Sequence, residues 1–294
     1  MSTSIVRPEV HPFFDADSGT FTYVVREPGG QAAIIDPVLD FSVPAATVST
    51  RSADAIAAFV RERALNVRWI LETHAHADHL SAGAYLRDLF GAQLVIGRGI
   101  REVQKRFKVL FGLDDSFATD GSQFDRLADD GDALQLGETA VRVMATPGHT
   151  DDSVTYVIGD AAFIGDTLFA PDGGSARCDF PGGSSKKLYA SIQRIYSLPA
   201  ETRIFLCHDY PPATRQATAQ TSIAAERAGN THVKAGVTEA DFVAMRDARD
   251  AKLAPPRLVL PAVQVNIRGG RLPEPDKNGI AYLRLPVNQF GAKP

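Results

Sequence analysis

The chain has 294 residues, of which 44% are hydrophobic, and its formal net charge at pH 7 is −4. This length fits one large domain or two small ones, and the mild charge without a basic stripe argues against nucleic acid as a partner. Two cysteines, Cys178 and Cys207, cannot form a disulfide framework and are typical of a reducing compartment. Because no apolar run approaches the roughly 18 residues of a membrane helix and the start lacks a signal-peptide core, we expect a cytoplasmic protein without membrane contacts.

The first third of the chain alternates between strand and helix signals. Phe21–Arg26 and Ala32–Ile35 flank a Gly29-Gly30 turn, which predicts a hairpin. Ser42–Thr50 is polar and is predicted to be a loop, whereas Ser52–Ala64 has helical periodicity with Ser52 as its N-cap. The same signals predict the strands Val67–Glu72 and Gln93–Ile96, the helix Ser81–Gly91 capped by Ser81 and stopped by Gly91, and the helix Arg101–Leu110.

The middle of the chain is richer in strands. An acidic, polar segment, Asp114–Asp132, is predicted to be a loop region, and Gly173–Gly183 is a glycine-rich loop. The predicted strands are Thr139–Met144, Ser153–Ile158, Ala161–Gly165 and Arg203–Leu206. The predicted helices are Ser184–Ser197 with Ser184 as its cap, Thr214–Gly229 for most of its length, and Glu239–Leu253. Alternation of β-rich and helical blocks favours an α/β fold in which helices cover sheets.

The tail differs in composition, because residues 255–294 contain 7 prolines. That much proline predicts a wrapping segment and not an independent domain. Within it, Val263–Arg268 and Ile280–Leu285 could form a hairpin around Gly269-Gly270. Such a tail is compatible with a homodimer.

One segment carries the clearest chemical signal. Thr73–His79 follows the apolar run Arg68–Glu72 and contains three histidines and one aspartate. Because side chains alternate between the faces of a strand, His74 and His76 can point the same way at its end. The following turn can bring in Asp78 and His79. Imidazole and carboxylate groups are the usual ligands of zinc and non-haem iron, so the segment predicts a metal site.

Further candidate ligands follow other apolar runs. His149 lies in Thr146–Thr150, His208 lies in Leu206–Tyr210, and Asp166 ends the run that begins at Ala161. Each of these segments closes a β-prone stretch, so we expect the ligands to meet at one edge of a sheet sandwich.

These motifs resemble a known series. Thr73–His79, Gly148-His149, Gly165–Thr167 and His208 are similar to the ligand motifs of the metallo-β-lactamase superfamily, over about Thr20 to Val233. The resemblance implies an αβ/βα sandwich of two mixed sheets with helices on the outer faces. It implies a catalytic domain over residues 1–253, with the proline-rich segment 254–294 packed on the same domain.

A narrower resemblance is to the persulfide dioxygenase (sulfur dioxygenase) branch, in its bacterial type. That branch shows Arg-x-Asp-Phe shortly after the metal aspartate, and this chain has Arg177–Phe180 there, followed later by His208–Tyr210. Asn230–Val233 and Pro261–Arg268 also match the bacterial members. The mitochondrial members carry Asn-Pro-Arg where this chain has Asn230–His232, and that arginine helps hold glutathione in them.

The resemblance implies one Fe(II) per chain, held by His74, His149 and Asp166. It leaves two roles open for another four residues, which either support this site from outside or bind a second metal: His76, Asp78, His79 and His208. Among these, His208 and Asp78 are also candidate catalytic residues.

Three residues are expected at the substrate. Arg177 would pair with a glutathione carboxylate, with a surface ion pair as the alternative. Asp179 would orient Arg177 or cap the glycine-rich loop. Tyr210 would bind and act near the substrate sulfur, with a core tyrosine as the alternative, and His232 would complete the pocket. Cys178, beside Arg177, has either a lowered pKa or a packing role, while Asp36 and Cys207 are interpreted as structural.

The implied reaction is the oxidation of glutathione persulfide to sulfite and glutathione with O2 and water. A first alternative is a glyoxalase II-type thioester hydrolase with two zinc ions. A second is a metal-bound sensor or binding module that uses the fold for interaction.

Overall fold

Two six-stranded sheets form the centre of the fold in the computed structural model, which describes residues 6–289. The first sheet contains, in spatial order, β1 (Glu9–Asp15), β2 (Thr20–Arg26), β3 (Gln31–Ile35), β6 (Asn66–Leu71), β8 (Gln93–Gly97) and β9 (Arg126–Ala128). The second contains β10 (Ala133–Leu136), β11 (Thr139–Ala145), β12 (Val154–Ile158), β13 (Ala161–Phe163), β14 (Arg203–Phe205) and β15 (Gln220–Ser222). Both sheets mix parallel and antiparallel pairs. A small third sheet joins β5 (Thr47–Ser49), β4 (Val38–Ser42) and β7 (Leu80–Ser81).

Seven α-helices are found within residues 6–289, and none is long and apolar enough to cross a bilayer. They are α1 (Arg51–Glu62), α2 (Gly83–Phe90), α3 (Ile100–Phe111), α4 (Ser185–Tyr196), α5 (Ile223–Gly229), α6 (Glu239–Asp250) and α7 (Val259–Asn266). Helices α1, α2, α3 and α7 contribute to the core on the outer face of the first sheet, and α4, α5 and α6 to the core on the outer face of the second.

The alternation of side chains along the strands separates three cores. In β2, Tyr23 and Val25 face the second sheet, whereas Val24 faces the helices. In β12, Tyr156 lies between the sheets, whereas Val157 packs against α4 and its neighbours. Both faces of each central strand are therefore buried, which gives the sandwich with outer helices that the resemblance predicted.

Two predicted helix starts are wrong. Helix α1 begins at Arg51 after Thr50, and the Ser52 hydroxyl donates to Asp40 at 2.9 Å instead of capping the helix. Helix α2 begins at Gly83, because Ser81 pairs with Val38 in β7. The Ser81 hydroxyl still accepts the Gly83 amide at 2.8 Å, so Ser81 keeps the predicted role of satisfying an amide at the helix start. The predicted end at Gly91, with φ 63°, and the predicted cap at Ser184 are confirmed.

Several strands and one loop differ from the prediction. Strands β1, β4 and β10 were not predicted. Strand β5 lies inside the predicted loop Ser42–Thr50, and β9 lies inside the predicted loop region Asp114–Asp132. The first half of Thr214–Gly229 is not helical, because Asp209 holds it in another conformation: its carboxylate accepts the Thr218 amide at 2.7 Å and pairs with Arg215. The chain then pairs with β14 as β15 before α5 begins.

The predicted hairpin in the tail is wrong. Val263–Arg268 overlaps helix α7, and no strand forms at Ile280–Leu285. Pro261 is tolerated because it lies in the first turn of the helix. At the other end, the Asn266 side chain donates to the carbonyls of His76 and His79, both at 2.8 Å. The tail helix thus holds the metal-binding loop in place.

Candidate metal centre

The candidate ligands lie just after four strands and meet at one edge of the sandwich. His74 follows β6, His149 lies between β11 and β12, Asp166 follows β13 in a 3₁₀ turn, and His208 follows β14. Ligand atoms of His74, His149 and Asp166 lie within 4.8 Å of one another. The Asp166 carboxylate is 3.9 Å from Nε2 of His74 and 3.6 Å from Nε2 of His149.

Glycines before two of these ligands permit the close approach. Gly165 has φ +53°, and a Cβ there would lie 2.8 Å from the Thr73 hydroxyl. Gly148 has φ +144°, and a Cβ there would lie 2.3 Å from the Leu188 backbone nitrogen. Both positions therefore need glycine, which explains the Gly-His and Gly-Asp pairs of the sequence.

Hydrogen bonds prepare His74 as a ligand. Its Nδ1 donates to the Thr73 hydroxyl at 3.0 Å, and this hydroxyl donates to Asp36 at 2.8 Å. The proton is thereby placed on Nδ1 and the lone pair on Nε2, as in metal-ligating histidines. Burial, and then the charge of His76, lower the pKa of His74 well below its ordinary value and keep the ring neutral.

A hydrogen bond to another loop, the glycine-rich one, fixes the tautomer of His149 in the same way. Its Nδ1 donates to the carbonyl of Arg177 at 2.8 Å, so Nε2 is left to bind a metal. The Phe180 ring meets the imidazole nearly edge-on, with centroids 5.4 Å apart.

Within residues 6–289, Nε2 of His74 and Oδ1 of Asp166 are buried without a hydrogen-bond partner. Buried polar atoms normally have partners, so these residues fit a bound metal ion.

A second group of ligands adjoins the first. Ligand atoms of four residues lie within 4.8 Å of one another, namely those of His76, Asp78, His79 and His208. Nε2 of His208 is 3.2 Å from Asp166 and 3.3 Å from Asp78, so Asp166 touches both groups. Burial raises the pKa of Asp78, but the opposing effects of His208 and His79 are larger. The net pKa of Asp78 is lowered, so its carboxylate is ionised. The four residues also fit a metal ion. They are therefore compatible with both roles that the sequence left open, which are support of the first metal site and binding of a second metal.

Asp36 connects the loops behind the metal ligands. It is buried and adopts φ 51°, a left-handed conformation that aspartate tolerates. Its carboxylate accepts the Thr73 amide at 2.7 Å and pairs with Nε2 of His76 at 3.0 Å. Burial disfavours a charged His76, but Asp36 and Glu72 outweigh burial and raise the His76 pKa well above its ordinary value.

A cavity of about 440 Å³ opens onto Asp78, His149 and Asp166. Tyr210 lines it and is 61% exposed, which rules out the alternative of a core tyrosine. Its ring stacks on His208, with centroids 5.7 Å apart and planes 8° apart.

Arg177 also lines the cavity, but its guanidinium is already paired. It forms a two-pronged ion pair with Asp179, at 2.6 and 2.7 Å, and donates to the Ala254 carbonyl at 2.7 Å. Its charge also lies over the Phe180 ring at 5.1 Å. This arrangement corresponds to the ion-pair alternative, and Asp179 orients Arg177 as expected.

His232 lines the same cavity as a neutral residue. Its Nδ1 accepts the Ser175 amide at 2.9 Å, and burial together with the charges of Arg249 and Arg246 lowers its pKa to about 4. Arg249, an exposed cavity residue of α6, was not predicted from the sequence. The sequence signal for it is weak, because Arg249 lies at the margin of the helix face that buries Phe242, Arg246 and Asp250.

The two cysteines are inert by their surroundings, so the reading of a lowered pKa for Cys178 is wrong. Burial, and then Asp250, raise the pKa of Cys178 to about 12, and burial raises that of Cys207 well above its usual range. We expect no reaction of either thiol with a disulfide reagent at about pH 8 in the native protein, because the thiolate is the nucleophile. Absorbance of the released thiolate measures this. Unfolded protein is the control and should release 2 equivalents; rapid native release would contradict the prediction.

The relatives of this chain include proteins named as a hydrolase or a glyoxylase and one named as a persulfide dioxygenase. The chain is 50% identical to a probable metallo-hydrolase of Burkholderia pseudomallei (strain 1710b), over 95% of this chain and 99% of that protein. It is 45% identical to glyoxylase B2 of Dictyostelium discoideum, over 95% and 96%. Human mitochondrial persulfide dioxygenase ETHE1 is 34% identical, over 67% of this chain and 66% of that protein. In relatives named β-lactamase hydrolase-like protein, 48–49% identical, the chain covers 65–66% of their length.

Solved structures and a family model agree on the fold. The crystal structure of ETHE1 from Myxococcus xanthus superposes with a TM-score of 0.72 at 31% identity, over 90% of this chain and 100% of that one. A family model described as the metallo-β-lactamase superfamily matches residues 16–208. With this match and the metal-ligand motifs at the strand ends, the chain belongs to the metallo-β-lactamase superfamily.

Proposed function

We propose that this protein is an iron-dependent dioxygenase that oxidises glutathione persulfide to sulfite and glutathione with O2 and water. One observation carries the proposal: the Arg-x-Asp-Phe motif lies directly against a metal ligand. The Arg177 carbonyl fixes the tautomer of His149, and the Phe180 ring packs on the same imidazole. This motif resembles that of persulfide dioxygenases, so its contact with the metal ligand links the resemblance to the site.

The ligand set supports iron as the metal. Two imidazoles and one carboxylate, from His74, His149 and Asp166, form a three-ligand group that suits Fe(II) and leaves other positions open. Bound there, Fe(II) would supply the chemistry of O2 activation and bind the persulfide sulfur.

The surrounding residues have separate tasks in this proposal. The aromatic rings of Phe169, Phe180 and Tyr210 line the cavity and limit the access of bulk water. The ionised Asp78, held near His208, is placed to accept a proton from the water that the reaction consumes. Tyr210, stacked on His208, would orient the substrate sulfur.

A binuclear thioester hydrolase is the second candidate. It is favoured by the four-residue group His76, Asp78, His79 and His208, which has the composition of a second metal site. Relatives at 45–50% identity bear the names glyoxylase and metallo-hydrolase, which also agrees with this candidate.

Metal content and two assays distinguish the candidates. Protein purified without added metal should contain about one iron per chain, consume O2 with glutathione persulfide, and release sulfite. Two metal ions per chain, with hydrolysis of a glutathione thioester and no O2 uptake, would contradict the proposal and support the hydrolase.

Replacing His208 with alanine should lower activity more than it lowers iron content. His208 contacts Asp166 and Asp78 but lies outside the proposed iron ligands. Losses of groups that support a metal site typically cost about 10–100-fold in activity or affinity. Iron content after desalting and O2 uptake measure the two effects.

His11→Ala is the matched control, since His11 lies in β1 and contacts Glu9 and Phe59 instead of the metal centre. It should leave both readouts unchanged. A wild type that holds two metals, of which His208→Ala loses one, would contradict the single-iron assignment.

A further inference from the structure

The metal cavity has opposite charges on different walls. Its metal side contains the carboxylates of Asp78 and Asp166. The wall formed by α6 and the glycine-rich loop contains three arginines, Arg177, Arg246 and Arg249. A substrate that places its sulfur at the metal can therefore extend an anionic group towards the arginines.

Two of the three arginines are already paired. Arg177 is bound to Asp179 through both prongs of its fork. Arg246 is buried, pairs with Asp250 at 2.6 and 2.9 Å, and donates to the Ser175 carbonyl at 3.1 Å. Their donors hold the loop and the helix together, so neither is available to a ligand without breaking an ion pair.

Arg249 is different. It lies in the last turn of α6, is exposed, and lines the cavity. Across residues 6–289, its guanidinium has no ion pair and no hydrogen bond. An arginine fork suits a carboxylate in two-pronged geometry, so Arg249 offers the cavity an available site for an anion.

His232 provides a second donor on this wall. Because its Nδ1 accepts the Ser175 amide, the proton of the neutral ring is on Nε2. The ring is held in place by the loop, since a Cβ at Gly174 would lie 2.1 Å from Nδ1. Arg249 is close enough for its charge to help keep this ring neutral.

We propose that Arg249, together with Nε2–H of His232 in the same cavity, is the subsite that binds a carboxylate of the thiol substrate and selects anionic thiols over uncharged ones. This inference rests on the proposed function only in taking glutathione as the thiol. The cavity volume of about 440 Å³ is within the usual range for sites of small molecules.

Binding of thiols tests the subsite without turnover. Calorimetry on iron-loaded protein without O2 compares glutathione with an uncharged thiol, N-acetylcysteinamide. We expect Arg249→Ala to weaken glutathione binding about tenfold and to leave the uncharged thiol unchanged, because one charge-assisted contact is lost. Arg249→Lys should restore part of the affinity. The difference between wild type and Arg249→Ala should shrink at about 1 M salt, where the screening length is about 3 Å.

Arg61→Ala is the matched control, because Arg61 is an exposed arginine in the last turn of another helix, α1. It should bind both thiols as the wild type does. If Arg249→Ala weakens both thiols equally, or neither, the subsite is overturned. If glutathione binding depends on Arg249 but persulfide is not oxidised, the subsite stands and the proposed oxidation fails.

Discussion

Replacing Asp166 with alanine should remove the bound metal and the activity together. Asp166 is the only anionic member of the proposed iron ligands, and its two oxygens face three histidines, His74, His149 and His208. Its loss removes a ligand and the charge that offsets the metal. We expect iron retention to fall more than about 100-fold, beyond the range for groups that only support a site. Iron content after desalting and O2 uptake with glutathione persulfide are the measurements.

Asp166→Asn separates charge from shape, since it keeps the size of the side chain. We expect it to retain less iron than the wild type but more than the alanine variant, because an amide oxygen remains a weak ligand. Asp17→Ala, at an exposed aspartate, is the control and should behave as the wild type. Wild-type iron content and O2 uptake in Asp166→Ala would refute the ligand assignment.

The candidate metal ligands could be located from the sequence because each follows a strand and each lies in a short motif. Strand ends at one edge of a sandwich meet in space, which fixes the site without knowledge of the loops. The hydrogen bonds behind the ligands could not be predicted. Asp36 lies 37 residues before Thr73, and Asn266 lies 190 residues after His76. Such partners are known only once the tertiary structure places them.

The tail shows why local signals can mislead. Gly269-Gly270 after an apolar segment has the appearance of a hairpin turn. In the structure these glycines end helix α7, with φ of 65° and 87°, and the Gly270 amide donates to the Val265 carbonyl at 3.1 Å. Helix C-caps and hairpin turns both require left-handed glycines, so the dipeptide alone does not distinguish them.

The residues proposed to bind substrate were the least predictable. Arg177 has a guanidinium suited to a carboxylate, but Asp179, only two residues later, takes both prongs. Arg249 has no local motif and is exposed like most arginines. Whether an arginine is paired depends on the residues that fold around it, and the sequence pattern does not contain that information.

Replacing Asp36 with asparagine should destabilise the metal-free protein by about 3–5 kcal/mol, the usual cost of removing one partner of a buried ion pair. Asparagine also tolerates the left-handed φ of 51°, so the variant changes the charge and not the backbone. The Asp36 carboxylate pairs with Nε2 of His76 at 3.0 Å and accepts two hydrogen bonds from Thr73. Urea unfolding of metal-free wild type and variant measures the difference.

The pH dependence of this difference has a predictable sign. Burial raises the pKa of Asp36, but His76 and Thr73 lower it below 3.8, so its contribution is present above that pH and is lost as pH falls through the lowered pKa. The pKa of His76 is raised above 6.5, so its contribution is full below that pH and is lost as pH rises through the raised pKa. The loss of stability in Asp36→Asn should therefore be greatest between pH 3.8 and 6.5, and it should become smaller as pH rises through the raised pKa of His76 and the charge on His76 is lost. Asp17→Asn, at an exposed position, should change stability little throughout this pH range. A loss in Asp36→Asn below about 1 kcal/mol, the value of an exposed pair, or one that keeps growing as pH rises above 6.5, would refute the buried ion pair.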